Sequence, residues 1–112
     1  DIVLLETKLA NPDKHVFQLQ FAVGEFDMVI HNPKELTCEI FEIKYSEKAV
    51  PEQYRHLVNS ERCAETEHRF GRITGKNVIY RGENTVSDGI RYLNVEQYLK
   101  SLGRQFDVRK GF

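Results

Sequence analysis

Three charged side chains interrupt two apolar segments within residues 24 to 46, "GEFDMVIHNPKELTCEIFEIKYS". Asp27 lies in the first segment, and Glu42 and Lys44 lie two residues apart in the second. A hard cation such as Mg²⁺ takes carboxylate oxygens as ligands, and an ammonium beside the ion stabilises negative charge on a phosphate. These residue types predict metal-assisted hydrolysis of a phosphodiester, with Asp27 and Glu42 as ligands and Lys44 orienting water and phosphate.

The two segments are expected to form a β-hairpin, because the Asn-Pro pair between them is a turn signal. With the turn centred between Lys34 and Glu35, the numbers of facing residues add to 69, and Asp27 lies opposite Glu42. Lys44 shares their face, since side chains two apart on a strand point the same way. The apolar facing pairs are Phe26 with Ile43 and Met28 with Phe41 on one face, and Val29 with Ile40 on the other.

Such facing carboxylates favour a cation between them, because carboxylates about 5 Å apart raise one another's pKa. Glu6 is a third candidate, since it falls within the apolar arc of a predicted first helix. Two alternatives stay open from the residues alone. One is a surface salt bridge between Glu42 and Lys44 beside a solvated Asp27, and the other is a Glu6 solvated at the helix edge.

The remaining sequence predicts the element order αβββαββα. Residues 1 to 10 form a helix whose buried arc comprises Ile2, Val3, Leu5, Leu9 and Ala10. "HVFQLQFA" is a strand before the hairpin, and "NVIYRG" and "GIRYLNV" are two short strands that flank a polar turn. A second helix is bounded by Pro51 and Gly71, and Asn94 caps a closing helix that Gly103 ends.

Composition is typical of one compact domain of 112 residues, with 40% hydrophobic and 29% charged side chains. The apolar runs are far shorter than the roughly 20 residues of a membrane-spanning helix, and no leader precedes them, so we expect a cytoplasmic protein and no membrane partner. Cys38 and Cys63 lack zinc spacing and are expected to be free thiols. A net charge of −1 neither favours nor excludes a polyanion.

The residues around Asp27, Glu42 and Lys44 resemble the PD-(D/E)xK nuclease superfamily, whose restriction-endonuclease-like core is a helix, a three-stranded meander, a helix and a further strand. In that family an acidic residue lies on the second strand and Glu-x-Lys on the third, as in "EFDMVI" and "FEIKYS". Phe26 replaces the proline of the family name. The resemblance implies an α/β (α+β) fold with a mixed central sheet flanked by helices, a Mg²⁺ or Mn²⁺ cofactor and DNA as substrate.

Over residues 1 to about 103 the chain is also similar to the C-terminal nuclease-like domain of uncharacterised prokaryotic P-loop ATPases of the AAA type. No GxxxxGK[ST] occurs here, so the expectation is an excised piece of a longer ATPase, with residues 104 to 112 as a tail. The resemblance implies an auxiliary role for Gln53, which is otherwise an ordinary helix residue. Tyr45 follows Lys44 directly and would border the site.

Arginines recur every seven residues in the predicted second helix, at Arg55, Arg62 and Arg69. Such a row stays near one helical face and could follow a phosphate backbone, which makes these residues candidate nucleic-acid contacts. The alternative is a solvated face on which Glu65 neutralises Arg62 and Arg69.

Two functions from different classes therefore stand side by side. The first is a Mg²⁺-dependent nuclease domain that hydrolyses DNA and is covalently attached to an ATPase module. The second is a catalytically inactive module of the same fold that regulates the attached ATPase or binds a partner.

Overall fold

The computed structural model describes residues 1–49, 52 and 54–110, with the backbone alone for residues 104–110. Its elements, in chain order, are α1 (Ile2–Ala10), β1 (His15–Gln20), β2 (Glu25–Asn32), β3 (Thr37–Ile43), a 3₁₀ helix (Arg55–Val58), α2 (Ser60–Phe70), β4 (Arg72–Tyr80), β5 (Thr85–Ser87), β6 (Ile90–Asn94) and α3 (Val95–Lys110).

The six strands form one mixed sheet in the order β1-β2-β3-β4-β6-β5. β1, β2 and β3 are antiparallel neighbours, and the 3₁₀ helix and α2 then connect β3 to the parallel strand β4. β6 is parallel to β4, and the short strand β5 pairs antiparallel with β6 at the sheet edge. The expected α+β class, a mixed sheet flanked by helices, is therefore confirmed.

Two apolar clusters lie on opposite sides of this sheet. One joins the sheet to the 3₁₀ helix and α2 through Leu57, Val29 and Ile40, and we call this side the α2 side. The other joins the sheet to α1 and α3 through Val3, Met28 and partly buried side chains of α3, and we call it the α1 side. The last four residues of β4 are all buried and serve both clusters, because neighbouring side chains on a strand point to opposite faces.

The second predicted helix is shorter than the sequence indicated. Asn59 has an extended backbone, and its side-chain oxygen accepts the Arg62 N–H at 3.0 Å, so α2 begins only at Ser60. The preceding residues form the separate 3₁₀ helix. The predicted end at Gly71 is confirmed, since this glycine has a φ of +90° that suits glycine. Pro51 and Gln53 lie outside the described residues.

The buried face of α1 also differs from the expected one. Val3, Thr7 and Ala10 are buried, whereas three residues expected in the core are more than half exposed: Ile2, Leu5 and Leu9. The Thr7 hydroxyl is buried because it shares a hydrogen bond of 2.8 Å with the Tyr98 hydroxyl of α3. A hydrogen-bonded polar side chain is therefore buried on α1, where the sequence predicted apolar side chains.

Three further expectations need correction at the C-terminal end. β4 begins at Arg72 rather than Asn77, because it pairs with the whole of β3. β5 lies in the expected polar turn, so the element order is αβββαβββα rather than αβββαββα. The sequence did not predict this strand because its three residues are all exposed and show no alternation of apolar and polar side chains. Asn94 does cap α3 by accepting the Gln97 N–H at 3.0 Å, but the helix passes Gly103 and continues to Lys110.

Candidate active site

The predicted register of the hairpin is confirmed. Pairing of β2 with β3 runs from Asn32 opposite Thr37 to Met28 opposite Phe41, and the numbers of each pair add to 69. Asp27 and Glu42 are the next residues beyond this last pair, and hydrogen bonds to their carboxylates, rather than ladder pairing, join the strands there. The turn signal and the apolar alternation were therefore sufficient to bring these two carboxylates together.

A β-bulge in β2 sets the direction of Asp27. Phe17 of β1 pairs with Val29, and Leu19 pairs with Phe26, so a two-residue step on β1 faces a three-residue step on β2. Phe26 consequently packs with Val29 on the α2 side, while Met28 packs on the α1 side. The expectation that Phe26 and Met28 share a face was wrong, because a bulge inserts one residue and reverses the alternation.

The Asp27 and Glu42 carboxylates accept backbone hydrogen bonds where the ladder ends. The Ile43 N–H donates to Asp27 Oδ2 at 2.8 Å, and the Asp27 N–H donates to Glu42 Oε2 at 3.4 Å. Glu42 is only 1% exposed, whereas Asp27 is half-buried. The two strands are thus joined at this end through carboxylate side chains.

Burial, together with the charge and side-chain hydrogen bonding of Asp27, raises the pKa of Glu42 from its ordinary value of 4.5 to about 8. The Lys44 ammonium opposes this rise from nearby. In the part of the chain that the structure describes, the only salt bridge joins Arg91 to Glu39, so neither Asp27 nor Glu42 is in contact with a cationic side chain. The Glu42 carboxyl therefore keeps a proton at neutral pH, and a bound cation would take the place of that proton.

A cavity of about 330 Å³ opens beside this pair. Its lining comprises Asp1, Leu4, Gln18, Asp27, Ile43 and Lys44. The Lys44 side chain is exposed, while its backbone N–H donates to the Ile79 carbonyl at 2.9 Å and holds this residue next to β4. Asp27 and Lys44 therefore face one solvent-accessible space, while Glu42 is buried and is not among the described residues that line it.

Asp1 lines the cavity, where the sequence had predicted Glu6. It is the N-cap of α1, where one carboxylate oxygen accepts the Val3 N–H at 2.7 Å and the other accepts the Tyr45 hydroxyl at 2.9 Å. Glu6 is half-buried farther along α1 and is not among the described residues that line the cavity. The N-cap preference for aspartate was the available signal for Asp1.

Tyr45 and His56 lie near the candidate site. Tyr45 directly follows Lys44, is 38% exposed and has a φ of +34°. The His56 pKa is lowered by burial and by the charges of Arg62, Lys44 and Arg55, against the opposing charge of Asp27. The position of His56 near the site was not predictable from the sequence, because it depends on the 3₁₀ helix, which the sequence did not indicate.

The three arginines do not form the expected helical row. Arg55 belongs to the 3₁₀ helix, so only Arg62 and Arg69 share α2. The Arg62 guanidinium is engaged by the Val23 carbonyl and by His56, and it lies 5.6 Å from the centre of the Phe21 ring. Arg62 therefore fastens α2 to the β1–β2 turn.

The site residues supply oxygen ligands only. Among the described residues, no group of three or more histidine, cysteine, aspartate or glutamate side chains is placed to hold a metal ion. Two carboxylates are nevertheless enough for Mg²⁺, which keeps several waters and completes its shell with phosphate oxygens. The unneutralised pair of Asp27 and Glu42 fits this ion, and it does not fit zinc. Cys38 and Cys63 are free, as expected.

Comparison with known proteins adds no assignment. The chain matches no protein-family model, no curated protein and no solved structure. Within the described residues, none of the helices combines the length and the apolar character needed to cross a membrane.

Proposed function

We propose that this chain is a Mg²⁺-dependent nuclease domain that hydrolyses phosphodiester bonds in DNA and that works attached to a P-loop ATPase module. The observation that carries the proposal is the contact of Asp27 with the buried Glu42 at the end of the hairpin. No cationic side chain within the described residues touches this pair, and Lys44 lies beside it across an open cavity.

The fold supports the same proposal. A helix, a three-stranded antiparallel meander, a crossover containing α2 and a strand parallel to β3 follow one another in this chain. The resemblance to the restriction-endonuclease-like core implies this order, with the acidic residue on the second strand and Glu-x-Lys on the third. Asp27 lies on β2, Glu42 lies on β3, and Lys44 directly follows the last residue of β3.

Each residue has a definite task in the proposed reaction. Asp27 and Glu42 hold the metal ion, and Asp27 is oriented for this by the Ile43 N–H. A Mg²⁺ ion held there would supply Lewis-acid chemistry, because it would lower the pKa of a water and stabilise charge on the phosphate. Lys44 binds a phosphate oxygen from the cavity side and stabilises the negative charge that develops there. Glu42 releases its proton when the site is loaded, because a ligand carboxylate must be ionised.

A catalytically inactive module that regulates the attached ATPase is the second candidate. The engagement of Arg62 with the β1–β2 turn favours it, because this arginine is then not available to follow a phosphate backbone. The raised pKa of Glu42 favours it as well, since a protonated carboxyl does not bind a cation.

The proposal is tested by incubating plasmid DNA with the chain and Mg²⁺ or Mn²⁺ at pH 8, alongside the longer protein where one exists. We expect cleavage by the wild type and a loss of at least about 100-fold in Lys44→Ala, the usual effect of removing one charge-stabilising donor. Lys34→Ala removes an exposed lysine of the β2–β3 turn and should cleave normally. Equal cleavage by all three proteins would point to a contaminant, and cleavage by none would favour the regulatory module.

A further inference from the structure

A second cavity, of about 260 Å³, lies beside the C-terminal end of α1, away from Asp27 and Lys44. Its polar lining comprises Asn11, Lys14, Glu39, Asn77, Arg91 and Tyr98. Apolar side chains of β2, β3, β6 and α3 supply the remaining wall. It shares no lining residue with the cavity of the candidate active site, so its chemistry stands on its own.

Asn77 is the unusual residue of this cavity. Its side chain is fully buried, and Nδ2 donates to the Ile40 carbonyl at 3.3 Å and to Glu39 Oε1 at 3.5 Å. Its Oδ1 has no hydrogen-bond partner within the described part of the chain. A buried acceptor without a donor is unfavourable, so a ligand that brings an N–H or O–H group to this oxygen is stabilised by the hydrogen bond.

The charges of the cavity are positive in sum. Arg91 Nη2 contacts Glu39 Oε1 at 2.5 Å, and this pair fits over Gly75, where a Cβ would overlap both groups. Lys14 is half-buried and forms no salt bridge within the described residues. A ligand with a negative group would therefore be held by Lys14, with the partly exposed Arg91 nearby.

We propose that this cavity binds a nucleoside monophosphate. A ring N–H or amino group of the base donates to Asn77 Oδ1, the flat ring lies against the apolar wall near Tyr98, and the phosphate pairs with Lys14. The cavity of about 260 Å³ lies just below the roughly 300 Å³ at which pockets for drug-sized ligands begin, so part of the ligand stays in solvent. The inference does not depend on nuclease activity, since it uses none of Asp27, Glu42 or Lys44.

The test is a calorimetric titration of the chain with AMP, GMP and CMP, with the matching nucleosides, and with inorganic phosphate. We expect saturable binding of at least one monophosphate, and weaker binding of its nucleoside and of phosphate alone. Lys14→Ala should weaken the monophosphate about tenfold and leave the nucleoside unchanged, because only the phosphate contacts Lys14. Lys8→Ala removes an exposed lysine of α1 and should change neither.

Asn77→Leu keeps the approximate volume and removes the buried acceptor. We expect it to lose at least about tenfold in affinity for both monophosphate and nucleoside. Where this variant does not fold, the wild type is titrated with the monophosphate and its amide chemical shifts are followed. Changes at Asn77 and its neighbours would then show that the ligand binds there. Absence of saturable binding, phosphate binding as tight as the monophosphate, or shifts remote from Asn77 would overturn the proposal. Persistence of binding in Asp27→Ala separates it from the proposed nuclease site.

Discussion

Replacement of Glu42 by glutamine is expected to remove a strong pH dependence of stability. An unfolded glutamate ionises near pH 4.5, whereas the buried carboxyl beside Asp27 keeps its proton to about pH 8. The folded wild type therefore binds a proton that the unfolded chain has lost, and its stability falls as the pH rises through this window. Above pH 8 the loss is complete.

The size of the effect follows from the pKa of Glu42. At about 1.4 kcal/mol per pKa unit, the rise from 4.5 to about 8 corresponds to about 5 kcal/mol lost above pH 8, and to less than about 1 kcal/mol at pH 5. Glu42 is 1% exposed, so solvent screens little of this. A glutamine side chain resembles the neutral carboxyl in shape and does not titrate, so the variant should keep its stability at high pH.

The assay is urea denaturation of metal-free protein at pH 5, 7 and 9, with a chelator present throughout. We expect the free energy of unfolding of Glu42→Gln, relative to that of the wild type, to rise by about 4 kcal/mol between pH 5 and pH 9. Glu35→Gln removes an equal charge from the exposed β2–β3 turn and serves as the matched control. Parallel pH profiles for the wild type and Glu42→Gln would refute the assignment of a buried, unneutralised carboxylate.

Three further predictions concern the elements that position the sites. Gly71→Ala should destabilise the protein by at least about 2 kcal/mol, measured by urea denaturation. A Cβ at this position would overlap the Leu36 carbonyl, and the φ of +90° at residue 71 is unfavourable for alanine. Arg62→Ala should increase hydrogen exchange in the β1–β2 turn, because it frees the Val23 carbonyl. Asn94→Ala should lower the melting temperature through a loss of about 1 kcal/mol, because the cap of α3 is removed. Unchanged stability in the first or third variant, or unchanged exchange in the second, would contradict these contacts.

The hairpin that carries the candidate site was predictable because its signals are local. Turn residues and a two-residue alternation determined the register up to Met28 opposite Phe41, and this register brought Asp27 next to Glu42. The bulge in β2 was not predictable in this way, since it arises from pairing with β1 and leaves no mark in the residue pattern. It changed the face of Phe26 without disturbing the carboxylate pair.

Features that depend on distant contacts were not predictable. Thr7 is buried in α1 only because Tyr98, 91 residues further along the chain, supplies a hydrogen-bond partner. The first residues of β4 form a strand because they pair with the first residues of β3. Asp1 reaches the cavity as the N-cap of α1, a position that the apolar arc of this helix does not indicate.

Calorimetric titration of Mg²⁺ tests directly whether Asp27 and Glu42 hold a metal ion. We expect Mg²⁺ to bind the wild type at pH 7 with release of about one proton, seen as a heat that changes with the ionisation enthalpy of the buffer. Binding should disappear in the Asp27→Asn/Glu42→Gln double variant and persist in Glu35→Gln. Failure of the wild type to bind Mg²⁺ or Mn²⁺, even with DNA present to supply phosphate oxygens, would contradict the metal site and the nuclease proposal together.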